Sequence, residues 1–131
     1  MIEFMINLPT WIKLILGLNL LWTSTFWVMP EPIVIVADTE YGAFNFANIV
    51  VLTSEIHDNR DGWRAYVLAH EYTHFIQSAL HTPLINGPMY SIFTLYSKYK
   101  TGNQWDANPL ENQATYWGHR LTFEPKFVLR F

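Results

Sequence analysis

A chain of 131 residues holds one domain and an appendage at most. Half of its residues are hydrophobic, 17% are aromatic and only 15% are charged, a balance too apolar for disorder. A net charge of -3 without any lysine or arginine cluster leaves no footprint for nucleic acid, and the lack of cysteine excludes disulfides and thiolate metal sites.

The first thirty residues stand apart from residues 31–131, which form the domain. From Leu14 to Pro30 no residue is charged; Lys13 and Glu31 bound the run. That length is at the short end for a membrane-spanning helix, with Trp11, Trp22 and Trp27 suited to interfaces and Lys13 able to snorkel. Residues 8–30 therefore read as a membrane anchor. A packed helix is the competing reading, on a polar stripe of Thr10, Lys13, Gly17 and Ser24. A cleaved signal fits less well, because Met1 to Asn7 carries Glu3 and no cation, and no cleavage site stands near Pro30.

Ile33 to Ala37 is a β-branched run that reads as a buried strand, followed by a turn over Asp38 to Gly42. Asn48 to Thr53 reads as a second strand. Asp58 to Gly62 is a polar loop; aligned as a calcium loop it puts His57 first and Leu68 last, both wrong ligands. A helix is then expected from about Gly62 to Leu80, with Asp58, Asn59 and Asp61 as capping candidates and Pro83 beyond its end.

That helix carries His70-Glu71-Tyr72-Thr73-His74, an H-E-x-x-H pattern. Residues four apart lie above one another on a helix, so two imidazoles face one point, as two corners of a Zn²⁺ site. Glu71 lies about 100° round the helix, where it can take a proton from a water activated there. The flanks Val67-Leu68-Ala69 and Phe75-Ile76 are uncharged, as a buried metal helix requires. Two histidines on a surface or core face with no metal are the plain alternative.

A second helix is expected from Pro88 to about Lys100, with Met89, Ile92, Phe93 and Tyr96 as its core face. A third is expected from Pro109, capped by Asn108, to about Leu121, with Leu110, Ala114, Trp117 and Leu121 apolar. Phe127 to Phe131 suits a terminal strand.

A hydrolytic zinc needs a third protein ligand and an open position. His81, Asp106, Glu111, His119 and Glu124 follow the motif. The metzincin continuation fails, because it needs glycine at 77 and histidine at 80, where the chain has Gln77 and Leu80. Glu111 is the best remaining choice, on the first turn of a separate helix with Thr115 one turn on. Asn108-Pro109-Leu110-Glu111 also resembles a capping box, which would employ the same carboxylate on the cap amide. Asp106 is the alternative ligand, or a residue that orients a ligand histidine.

Val67 to Gln77, followed by Asn108 to Ala114, resembles the gluzincin metallopeptidases, most closely the compact minigluzincin-type domains, over about residues 32–122. The resemblance implies an α+β, zincin-like fold: a small twisted sheet over the motif helix, with the glutamate helix behind the metal. It implies His70, His74 and Glu111 as ligands of one Zn²⁺, and Glu71 as general base. It also implies a peptide or protein substrate held along an edge strand near Phe46 to Leu52. Two departures stand out. Thr115 occupies the position where many gluzincins place an aspartate, and only Tyr90 and His119 offer themselves for stabilising an oxyanion. The expectation is a zinc metallopeptidase, with a catalytically weak zinc module that binds a partner peptide as the alternative.

Overall fold

The computed structural model describes residues 8–29 and 31–131. The Met1 to Asn7 start and Pro30, weighed above for a signal sequence, lie outside the described residues. The described chain is α+β, with five helices and one mixed four-stranded sheet.

Helix α1, Thr10–Val28, is long and apolar enough to cross a membrane. One side of it turns towards the domain. Ile12, Leu16, Asn19, Trp22 and Thr23 are half-buried there and Phe26 is buried, a spacing of three and four along one face. Phe26 lies 5.1 Å from the Phe75 ring, and Asn19 Oδ1 accepts from the Leu84 amide at 2.9 Å. The opposite side exposes Trp11, Leu14, Leu18, Leu21 and Trp27.

Strand β1, Ile33–Val36, is followed by the β2 and β3 hairpin, Phe44–Phe46 and Ile49–Leu52. Alternation is clean in β1 and β3: Val34 and Val36 pair in register with Val50 and Leu52, and all four point into the core. They pack on Val67 and Leu68 of the motif helix, α3, Trp63–His81. The sheet order is β2-β3-β1-β4, where β4 is Phe127–Arg130 and runs parallel to β1. The edge strands are thus β2 and β4, and Ile49–Leu52 is interior. Ala47, at φ +54°, makes the tight turn that separates β2 from β3, and Asn45 Nδ2 braces it on the Ala47 and Ile49 carbonyls at 3.1 Å.

Several local expectations change. A short helix α2, Ser54–Asp58, follows β3, with the Thr53 hydroxyl accepting from the Ile56 amide. None of Asp58, Asn59 or Asp61 caps α3. Gly62, at φ +85°, occupies the cap position, which suits a residue without Cβ. Asp58 instead accepts from Arg130 at 2.6 and 3.1 Å, and Asn59 Oδ1 from the Asp61 amide.

Helix α4 is Pro83–Thr101, so it starts five residues early and leaves Pro88 inside. Thr82, at φ +62°, turns the chain, and Pro83 takes the first position that Pro88 was expected to hold. The expected core face of α4 is also wrong. Ile92 is 63% and Tyr96 48% exposed, while Met89 and Phe93 are half-buried. Polar residues look inward instead: Asn86 donates to Ser78, Tyr90 to Glu111, Asn108 to Thr94, and Ser97 to the Asn103 carbonyl. Helix α5, Pro109–Arg120, buries Leu110, Ala114 and Gly118 rather than Trp117.

Candidate metal centre

The site is built where α3 and α5 lie against each other. Glu111, Ala114 and Gly118 recur at i, i+3, i+7 on α5, so they share a face. Ala114 is fully buried, and a Cβ at Gly118 would meet the Tyr66 ring at 2.9 Å and His70 Cβ at 3.3 Å. Two small residues thus let α5 approach closely, and the close approach delivers Glu111 to the motif histidines. Asn108 caps α5, its Oδ1 accepting from the Leu110 amide at 3.0 Å. The Asn108 amide bonds the Trp105 carbonyl, so Glu111 is not spent in a capping box.

The ligand atoms converge. His70 Nε2 and His74 Nε2 are 3.2 Å apart, and each is 3.3 Å from an oxygen of Glu111. Atoms set about 2.0–2.1 Å from a tetrahedral ion stand roughly 3.3 Å from one another. The three side chains therefore fit a single small cation of the zinc type, and among the described residues they are the group close enough to hold one. Two nitrogens and a carboxylate suit zinc, though the spacing alone does not select it over other first-row metals.

His74 is held from behind. Its Nδ1 donates to Gln77 Oε1 at 2.9 Å, which turns Nε2 towards the other ligands. The Tyr90 hydroxyl donates to Glu111 Oε1 at 2.5 Å. Glu71 is buried beside the set, and its Oε2 has no hydrogen-bond partner among the described residues; nor has His70 Nδ1.

The electrostatics separate the two glutamates. Burial raises the Glu71 pKa and outweighs the attraction of His74 and His70. Burial also acts to raise that of Glu111, but hydrogen bonds from both histidines reverse the balance and hold it well below the usual carboxylate range. For His74, burial favours the neutral ring, yet the Glu111 carboxylate overrides it and the pKa rises. Tyr90 is pushed above the ordinary phenol value by burial, then by Glu111.

These groups line a cleft of ≈ 740 Å³ together with Phe44, Phe46 and Ala47 of the β2 hairpin, Trp105, and Trp22 from α1. Trp22 packs on Phe46 with ring centroids 5.5 Å apart. The N-terminal helix thus contributes to the cleft, which its hydrophobic composition did not announce.

Other residues singled out in the sequence lie elsewhere. Asp106 is exposed in the turn before α5, where its carbonyl accepts from Asn112, and it orients no histidine. Thr115 is exposed and outside the cleft lining. His119 is exposed and packs on Tyr66 at 4.8 Å, one ring removed from His70. His81 bonds Asn86, and Glu124 bonds Arg64. Of the two oxyanion candidates only Tyr90 reaches the cleft. Gln77 was overlooked as a partner of His74, although its position three residues later on the same helix face was a usable signal.

Compared with protein-family models, with curated proteins and with solved structures, the chain matches none.

Proposed function

We propose that the chain is a small zinc-dependent metallopeptidase associated with a membrane. The convergence of His70, His74 and Glu111 next to the buried Glu71, whose Oε2 has no partner among the described residues, carries this reading. A zinc ion held by those three residues supplies Lewis acidity and lowers the pKa of a water in the cleft. Glu71 takes the proton of that water as its oxygen joins the scissile carbonyl carbon. Glu71 then gives the proton to the amine as the C–N bond breaks. Burial moves its pKa upward, the direction that eases the return of the proton in the second step. The free edge of β2 offers backbone groups to an extended peptide, and Phe44, Phe46, Trp22 and Trp105 favour apolar side chains.

Membrane association rests on two helices. Besides the outward face of α1, helix α4 turns Leu84, Ile85, Ile92, Leu95 and Tyr99 outward while its polar residues bond inward. A helix that is polar inside and apolar outside matches lipid better than water.

One observation favours a second reading, a zinc module that holds a peptide without cutting it. Tyr90 is engaged by Glu111, and no other oxyanion donor from the sequence lines the cleft.

Glu71→Gln separates the two. It keeps size and a polar tip but cannot act as a base. It is expected to retain one zinc per chain and to lose about 10²–10⁴-fold in hydrolysis of an unstructured protein. His74→Ala loses zinc and activity together. Wild type carrying full zinc but inert against a broad peptide library establishes the binding module; undiminished cleavage by Glu71→Gln refutes the mechanism.

A further inference from the structure

We infer that Gln77 is a positioning residue, a clasp that fixes the tautomer of His74 and couples both ligand helices; the inference rests on the metal reading above. Gln77 is only 2% exposed and uses both ends of its amide. Nε2 donates to the Leu110 carbonyl at 3.0 Å and to Gln113 Oε1 at 2.8 Å, both on α5. The Leu110 carbonyl can only accept, so it takes the NH₂ end, and Oε1 must face His74. Oε1 accepts nothing but a hydrogen, which places it on His74 Nδ1 at 2.9 Å and leaves Nε2 as the ligand nitrogen.

The same amide joins α3 to the residue next to Glu111. Leu110 belongs to the first turn of α5, so the clasp sets the spacing between His74 and the carboxylate that faces it at 3.3 Å. His70 has no such support, since its Nδ1 is buried without a partner among the described residues. The metal pocket is therefore asymmetric, preset at His74 and Glu111 and completed by His70.

The test measures zinc affinity of the full chain by competition with a chromogenic chelator, alongside ¹⁵N NMR of the His74 ring. Gln77→Leu is expected to bind zinc about 10–100-fold more weakly, as lost outer hydrogen bonds do. Gln77→Glu restores an acceptor for His74 and is expected to recover at least tenfold over Gln77→Leu, although its carboxylate cannot donate to Leu110. Zinc-loaded wild type should show the hydrogen on Nδ1. A wild type with the hydrogen on Nε2 overturns the inference even if Gln77→Leu does not fold. So does Gln77→Leu with wild-type affinity, or Gln77→Glu as weak as Gln77→Leu. Failure of the metal reading is a different result: wild type and His74→Ala would then both bind no zinc.

Discussion

Glu71 and Glu111 share one cleft, yet their surroundings pull them in opposite directions. Glu111 is charged because two imidazoles face it; Glu71 is buried with too little compensation, so its ionisation works against folding. The pH consequence has a definite sign. With a folded pKa above the reference 4.5, Glu71 favours the native state fully below that value, and the contribution is lost as pH rises through the folded pKa. Glu71→Gln removes this loss. In metal-stripped protein the variant should therefore be more stable than wild type at pH 7, with the gap closing as pH falls towards 4.5. Urea denaturation with chelator present, across that range, measures it; a gap that ignores pH contradicts the assignment. Asn108 is the other decisive residue. It is fully buried, caps α5 and bonds Thr94, so Asn108→Ala should cost about 1–2 kcal/mol in denaturant unfolding. At this scale the sequence was informative wherever chemistry and period coincide. Histidines four apart on a helix have one shared direction, and Glu71 follows from the same rule. Glu111 was ambiguous because a first-turn glutamate suits both a cap and a ligand. The Asn108 cap suits either role; what separates them is the Asn108 backbone N–H, which donates to the Trp105 carbonyl, a bond that sequence does not announce. Asp106, the alternative ligand, and Thr115, at the position of the gluzincin aspartate, are both exposed and line no part of the cleft.

Element α5 succeeds because of what it lacks. The helical period pointed to an apolar face through Trp117, but the buried position is Gly118, about 100° round the helix. Close approach, not side-chain bulk, defines that face, and hydrophobicity does not report it. Gly118→Ala should push a Cβ into the Tyr66 ring and against His70, forcing α5 outward and with it Glu111. Zinc affinity should fall while helix content stays the same, since alanine is the better helix former. Unchanged affinity would mean that Tyr66 alone swings aside. Helix α4 shows a different limit. Two prolines, Pro83 and Pro88, each suit a first helical turn, and sequence alone favoured the later one. The positive φ of Thr82 decides it, and a threonine does not advertise that conformation. Pro88 leaves the Leu84 carbonyl without its helical donor. Pro88→Ala should stabilise the protein, by up to about 3 kcal/mol, in thermal unfolding. A loss of stability instead would show that the interruption is needed to seat Tyr90 two residues on. Strands β1 and β3 were legible from β-branched runs, but β2, Phe44-Asn45-Phe46, has none, and the Ala47-Asn48 turn beside it lacks the usual glycine.

The whole molecule presents a conflict between α1 as a membrane span and α1 as part of the cleft. A spanning helix is surrounded by lipid over about 30 Å. Here Phe26 is buried on Phe75, Trp22 covers Phe46, and Asn19 holds the first turn of α4. Leaving the domain would uncover all three contacts, and Phe26→Ala alone should cost about 3–5 kcal/mol. On the proposed membrane association, docked α1 would meet a bilayer with its outward face only, lying along the surface, with the exposed side of α4 as a second apolar contact. The prediction is that the full chain sediments with phospholipid vesicles. Leu14→Glu, Leu18→Glu and Leu21→Glu together, all on the exposed side, should release it while zinc affinity stays at the wild-type value. A chain beginning at Glu31 should also leave the vesicles, but with lowered thermal stability, because the aromatic contacts are gone. Two results discriminate sharply. If wild type stays in the supernatant, the membrane reading is wrong and the apolar faces serve another partner. If the triple variant still sediments and resists carbonate extraction, α1 has left the cleft and spans the bilayer, and Trp22 is then no part of the working site.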